Sequence, residues 1–170
     1  MNHLKKKAKV ALLGENYFPP VNNSHMSRRR GQGLNTIMNS ILHYKPSVVY
    51  VCPTKGVNIN LLPLLMMNNI KLRLVMPSKH FFTNLTEEEK IILDAAASNA
   101  DKIIILSQKK CHPLDWENHW YEASKRAVEN SDWVIIVHDR ERYNDAFDNL
   151  IMQFKENTKP VLAIGLGEEE

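Results

Sequence analysis

Six short apolar runs separated by helical patterning constrain this chain more than anything else in it. They are Lys9–Gly14, Ser47–Cys52, Lys71–Met76, Lys102–Leu106, Trp133–His138 and Pro160–Ile164. Each is near-continuous in apolar residues rather than alternating, as a strand covered on both faces requires. Between the first two runs, Leu34, Ile37, Met38, Ile41 and Leu42 mark one face of a helix over Leu34–Tyr44. Thr86 and Glu89 match a capping box that opens a helix reaching about Ser98. Trp116–Asn130 and Asp145–Lys155 read as helices, and Ile59–Met67 as a strongly apolar one. Proline is tolerated in the first helical turn, so Pro63 predicts that this last helix starts near Asn60, its N-cap. Lys55–Ile59 is then a loop.

Strands and helices in strict alternation predict an α/β fold. The expected architecture is a Rossmann-like three-layer sandwich, a mostly parallel sheet of about six strands with helices on both faces. A length of 170 residues, 44% apolar and 24% charged, suits one domain over 1–170, with 1–8 and 166–170 as flexible tails. No apolar run approaches the ~20 residues of a membrane span, so no membrane partner is expected. The basic start Met1–Lys9 lacks the separate apolar stretch of a leader, and Cys52 and Cys111 lie far apart. A cytoplasmic protein with reduced thiols is the expectation. Cys111-His112 has no second Cys/His pair at ligand spacing, so neither a metal nor a cofactor is expected.

Open parallel sheets bind ligands beyond the carboxyl ends of their strands, near the topological switch point. The candidates are therefore the residues that follow each run: Gly14, Glu15 and Asn16; Thr54, Lys55, Gly56 and Asn58; Lys79; Ser107; and Asp139. Gly56 lets backbone approach a ligand closely, and N–H groups at the next helix start can hold an anion. Lys55, Lys79 or Arg28 would supply counter-charge, and Tyr121 or Trp116 would stack on a base or ribose. Glu15 and Asp139 leave two different strand ends, and paired acids of that kind suit cleavage of a glycosidic bond. There is no nucleophile elbow and no Walker loop, and Gly31-Gln32-Gly33 lacks the third glycine of a dinucleotide fingerprint. Those two glycines read as flexibility before the Leu34 helix, within a long irregular stretch from Glu15 to Gly33 that orders on binding. Up to Arg30 the chain carries seven basic residues against one acidic, a pattern that attracts phosphate or nucleic acid. The run Leu61–Met67 is apolar nearly all round, which points to a homo-oligomer with that helix at its interface.

Three stretches carry a family likeness. Val48–Asn58 looks like a strand followed by a Ser-Gly-x-x-x-Gly-x-Asp turn. Leu72–Lys79, followed by Ala100-Asp101-Lys102-Ile103, looks like a strand, a proline turn and the entry of the next strand. Ser131–Val137 looks like a Ser-Asp-led strand, with Lys159-Pro160-Val161 opening the last one. On these residues the chain resembles the SLOG superfamily of Rossmann-like nucleotide-binding domains, its YpsA-like branch above all. The resemblance implies a nucleotide-type ligand, with Gly56, Ser131 and Asp132 at matching positions. Cys52 and Pro53 replace the Ser-Gly, Asn58 replaces the acid, Ala123 and Ser124 stand where Arg-Asn is expected, and the Pro-Gly-Gly-x-Gly-Thr signature is absent. The reading that follows is a binding protein for a nucleotide or nucleotide-derived, ADP-ribose-like ligand. A hydrolase or transferase acting on a nucleotide or nucleoside N-glycosidic bond is the alternative, and single-stranded nucleic acid is a further candidate partner.

Overall fold

In the computed structural model, residues 8–16, 24–79, 85–109, 112–138, 144–154 and 159–165 are described. Strands and helices alternate as β1 (Lys9–Gly14), α1 (Ser24–His43), β2 (Val48–Val51), α2 (Val57–Met67), β3 (Lys71–Ser78) and α3 (Glu87–Asn99). They continue as β4 (Lys102–Ser107), α4 (Trp116–Glu129), β5 (Trp133–His138), α5 (Asp145–Met152) and β6 (Val161–Gly165), with a 3₁₀ turn, Pro113–Asp115, before α4. All strand pairs are parallel and the sheet order is β4-β3-β2-β1-β5-β6. This is the α/β sandwich that the alternating pattern predicts.

The two-faced burial explains the unbroken apolar runs. Along β1, Val10 and Leu12 pack with Ile37 and Ile41 of α1 and Leu61 and Leu65 of α2. The residues between them, Ala11 and Leu13, pack with Trp120 and Ala123 of α4 and Phe147 of α5. Successive side chains point to opposite faces, so both must be apolar when helices cover both faces. Ala8, expected in a tail, belongs to the first of these cores.

Three boundaries differ from expectation. α1 starts at Ser24, so the presumed irregular stretch is helical over its second half and holds Arg28, Gly31 and Gly33. Once Leu34–Tyr44 forms, each added residue gains a hydrogen bond, and the arginines are good helix formers. That propagation outweighs a glycine cost of about 1 kcal/mol each. α2 starts at Val57 rather than near Asn60, with Gly56 as N-cap and Pro63 inside the helix. Tertiary contacts set that start: Val57 N–H donates to the Glu15 carbonyl at 2.9 Å and Ile59 N–H to the Thr54 carbonyl at 3.2 Å. Asn60 is no cap, since its side-chain amide donates to the Gly56 carbonyl at 2.6 Å. α5 ends at Met152, and Lys155 lies outside the described residues.

α2 lies between α1 and α3 in the layer and touches both. Much of its apolar perimeter is thereby used within the chain, while Met67 is exposed and Leu64 and Met66 are half-buried. Among the described residues no helix is long and apolar enough to cross a membrane.

The expected Thr86–Glu89 capping box is present, with Glu89 N–H donating to Thr86 Oγ1 at 3.1 Å and Thr86 N–H to Glu89 Oε1 at 2.9 Å. At the lower, amino-terminal edge, Asp132 clamps β1: Lys9 N–H donates to its Oδ2 at 2.9 Å and its own N–H to the Lys9 carbonyl at 2.7 Å. Ser131 Oγ donates to the Val128 carbonyl at 2.9 Å, closing the end of α4.

Two glycines test these contacts in opposite directions. A Cβ at Gly33 would meet nothing within 4 Å, so Gly33→Ala is expected to stabilise by about 0.5–1 kcal/mol. A Cβ at Gly14 would lie 2.4 Å from Asn58 Oδ1 and 2.7 Å from Val57 Cγ1. Gly14→Ala is expected to cost about 2 kcal/mol or more. Thermal melts of the two variants, one above and one below the parent, check both.

Candidate functional site

The sheet order reverses between β1 and β5, because β1 leads through α1 on one face and β5 through α5 on the other. Ligands of doubly wound sheets bind in the crevice beyond the strand ends at such a reversal. Here Glu15 follows β1 directly and is fully buried. Its N–H donates to the Val137 carbonyl at 3.0 Å, extending the pairing with β5 by one residue. Its carboxyl Oε1 accepts from Asn144 Nδ2 at 2.8 Å, and the same amide donates to Asn16 Oδ1 at 2.8 Å. Asn144 in turn caps α5, its Oδ1 accepting from Phe147 N–H at 3.2 Å. A carboxyl group and two amides, drawn from the exit of β1 and the cap of α5, thus converge at the switch point.

His138, the last residue of β5, stands beside them. Its Nε2 lies 3.4 Å from Asp148 Oδ1, within ion-pair reach when the imidazole is protonated, and its ring packs on Phe147 at 5.2 Å. Nε2 is shielded from solvent and has no hydrogen-bond partner among the described residues. From Phe147 an aromatic column continues through Trp120 at 6.1 Å to Trp116 at 5.7 Å, the last pair with planes 19° apart. Trp116 is partly exposed at the start of α4.

The loop after β2 has a different occupation from the one expected. Gly56 adopts φ 107° and ψ −137°, a conformation for glycine alone. Asn58 is buried and braces the strand ends: Gly14 N–H donates to its Oδ1 at 2.9 Å, and its Nδ2 donates to the Cys52 carbonyl at 2.9 Å and to Thr54 Oγ1 at 3.4 Å. The polar atoms of Asn58 and the buried Thr54 are turned into the protein. Lys55 reaches away to α3, its Nζ 2.9 Å from Glu89 Oε1.

The remaining candidates are spread along the strand ends. Ser107 ends β4, three strands from β1, and its Oγ accepts from Lys109 N–H at 3.1 Å. Lys79 follows β3 and is exposed. Tyr121 packs on Phe154 at 5.7 Å, on the flank facing α5 rather than at the strand ends. Asp139 lies outside the described residues, as does the side chain of Arg28, which the backbone places in α1. The structure thus brings Gly14, Glu15 and Asn16 to the switch point together with Asn144, His138 and Asp148, which the sequence reading did not select. Asn144 had a visible signal, since an asparagine just before a helix start is a favoured N-cap. Its reach back to Glu15, 129 residues away, had none. Among the described residues no cluster of three or more metal-ligating side chains occurs.

No protein-family model matches the chain, and no curated protein matches its sequence. Among solved structures it is similar to the crystal structure of TM1055, a Northeast Structural Genomics Consortium target, with a TM-score of 0.51 and 16% identity over 91% of this chain and 72% of that one. The fold is Rossmann-like. At that identity the likeness is one of fold alone.

Glu89 provides a pH test of the Lys55 contact. Burial opposes its ionisation, but hydrogen bonds from the Thr86 N–H, Lys55 and the Thr86 hydroxyl outweigh it and hold the carboxyl below its ordinary 4.5. The stability this group adds is complete above that value and is lost as pH falls through the folded-state value. Glu89→Gln keeps the reciprocal cap, which glutamine also makes, and removes the charge facing Lys55, so it should cost about 0.5 kcal/mol near neutral pH. The gap from the parent should close in strong acid, as read from denaturant melts across pH.

Proposed function

We propose that this chain binds a nucleotide or nucleotide-derived ligand of the ADP-ribose kind, in keeping with its SLOG-like sequence features. The observation that carries the reading is the buried carboxyl group of Glu15, bridged through Asn144 to Asn16 at the switch point. Burying a carboxyl group is costly unless it is well partnered, and β1 and β5 are already tied by backbone pairing without it. A group retained there against that cost suits recognition. A carboxylate accepts from hydroxyls and an amide both donates and accepts, so the trio matches the hydroxyls of a ribose.

The neighbouring elements supply the other two parts of such a ligand. α1 leaves the same crevice with no acidic residue in its first turn and with Arg28 in its second, an arrangement that favours a phosphate. Trp116, held flat against Trp120, offers a surface for a base. Lys55, paired with Glu89, and Asn58, turned inward, have lesser parts here than Glu15, Asn16 and Asn144. The same carboxyl group supports a second reading, in which Glu15 acts as the general acid or base for cleavage of an N-glycosidic bond in the bound nucleotide.

Calorimetry against nucleotides, ADP-ribose and nucleosides tests both readings. Binding is expected, with Glu15→Gln and Asn144→Ala each weakening it about tenfold or more while circular dichroism stays that of the parent. If no nucleotide-type compound binds or raises the melting temperature, the proposal fails. Release of free base, abolished by Glu15→Gln, would establish the hydrolase reading.

A further inference from the structure

α5 spans only Asp145–Met152, and a helix that short depends on tertiary contacts to hold its place. Phe147 and Leu150 give it an apolar footing in the core. Two polar contacts add to this at the strand ends. Asn144 reaches Glu15 after β1, and Asp148 faces His138 at the end of β5. Asn144 and Asp148 stand one turn apart and are joined by the first hydrogen bond of the helix, from Asp148 N–H to the Asn144 carbonyl at 2.9 Å.

Their two partners are neighbours across the sheet. Gly14 is in register with Val137, and Glu15 N–H donates to the Val137 carbonyl at 3.0 Å, which sets Glu15 beside His138. Two residues earlier, Leu13 and Ile136 both belong to the core under α4 and α5. Side chains alternate along a strand, so Glu15 and His138 emerge on that same face, beneath one turn of α5.

The two contacts differ in completeness. Asn144 Nδ2 to Glu15 Oε1, at 2.8 Å, is a formed hydrogen bond. His138 Nε2 stands 3.4 Å from Asp148 Oδ1, shielded from solvent and without a hydrogen bond. An imidazolium would turn that approach into a charge-assisted hydrogen bond, shorter and stronger than a neutral one. Histidine makes this change of charge between about pH 8 and pH 5. Among the described residues, the titratable groups facing His138 are Asp148 from α5 and Glu15 from β1. Phe147 adds its ring, and β6 sets Gly165 in register with it.

We infer that His138 is a positioning residue for Glu15, Asn16 and Asn144. Protonated, it pairs with Asp148, and α5, then held at two points one turn apart, keeps Asn144 against Glu15 and Asn16. The crevice is therefore best ordered at the acid end of the imidazole range. The coupling belongs to the ligand-free chain, and its effect on binding rests on the ligand reading above.

Nuclear magnetic resonance of the ¹⁵N-labelled full chain without ligand, from about pH 8 to about pH 5.5, tests the coupling. The side-chain amide of Asn144 should follow the titration of the His138 imidazole. Exchange protection of the α5 amides should rise about tenfold at the acid end. His138→Gln and Asp148→Asn should each abolish both changes. ADP-ribose, whose charge is constant over this range, should bind the parent about tenfold more tightly at the acid end and either variant equally at both ends. Asn144 and α5 signals that ignore His138, or that still follow it in Asp148→Asn, would overturn the inference whether or not a ligand binds. Binding to the parent that is equal at both ends would overturn the positioning role. Signals that follow His138 in a chain that binds no nucleotide-type compound would uphold the coupling and sink the ligand reading alone.

Discussion

The buried amide of Asn58 is the contact on which the whole carboxyl edge of the sheet depends. It accepts from the N–H of Gly14 and donates to the carbonyl of Cys52, so one side chain joins the ends of β1 and β2 to the first turn of α2. The Gly14 N–H is buried, and losing this partner would leave it unsatisfied at about 1–3 kcal/mol, whereas the Cys52 carbonyl also accepts from Thr54 N–H at 2.7 Å. The amide fits only because Gly14 has no side chain at the point of contact. Close approach, amide brace and the glycine-only turn at Gly56 are parts of one arrangement.

That arrangement also fixes where chemistry can occur. With α2 drawn against β1, the Glu15 carbonyl accepts from Val57 N–H, and the first N–H of α2 points at protein rather than at a ligand. The Glu15 side chain is left on the opposite face of the sheet, where α5 brings Asn144 to it. The polar groups therefore gather between β1 and β5, the position that sheet topology favours. The loop after β2, rich in groups that look suited to phosphate, serves as a brace. Lys55 helps fasten α3 through Glu89.

The strands were readable because helices cover both faces of the sheet, leaving each strand a near-continuous apolar run, with Arg73 of β3 as an interior exception. Leu34–Tyr44 and the Thr86–Glu89 cap were readable because their signals are local. The start of α1 was not, because three arginines and two glycines resemble a loop until helix propagation from Leu34 is counted. The start of α2 was not, because hydrogen bonds from Val57 and Ile59 N–H to the Glu15 and Thr54 carbonyls override a local rule about Pro63. The site divides in the same way. Glu15 and Asn16 follow from their place after β1. Asn58 has the same kind of place after β2, yet its side chain points inward, and its three partners are visible only once β1 and β2 lie side by side. Ser131 and Asp132 carry part of the family likeness, and both sit at the amino-terminal edge, where they close α4 and clamp β1.

The central claim is that a nucleotide-type ligand occupies the crevice between β1 and β5. Amide chemical shifts measured during titration of the ¹⁵N-labelled chain with ADP-ribose test it most directly, because they report location as well as binding. The account predicts saturable shifts concentrated at Gly14, Glu15, Asn16, His138 and Asn144, with the Trp116 indole among them and the β4 edge unmoved. An unchanged spectrum across a panel of nucleotides, or shifts confined to Lys55 and the start of α3, would contradict it.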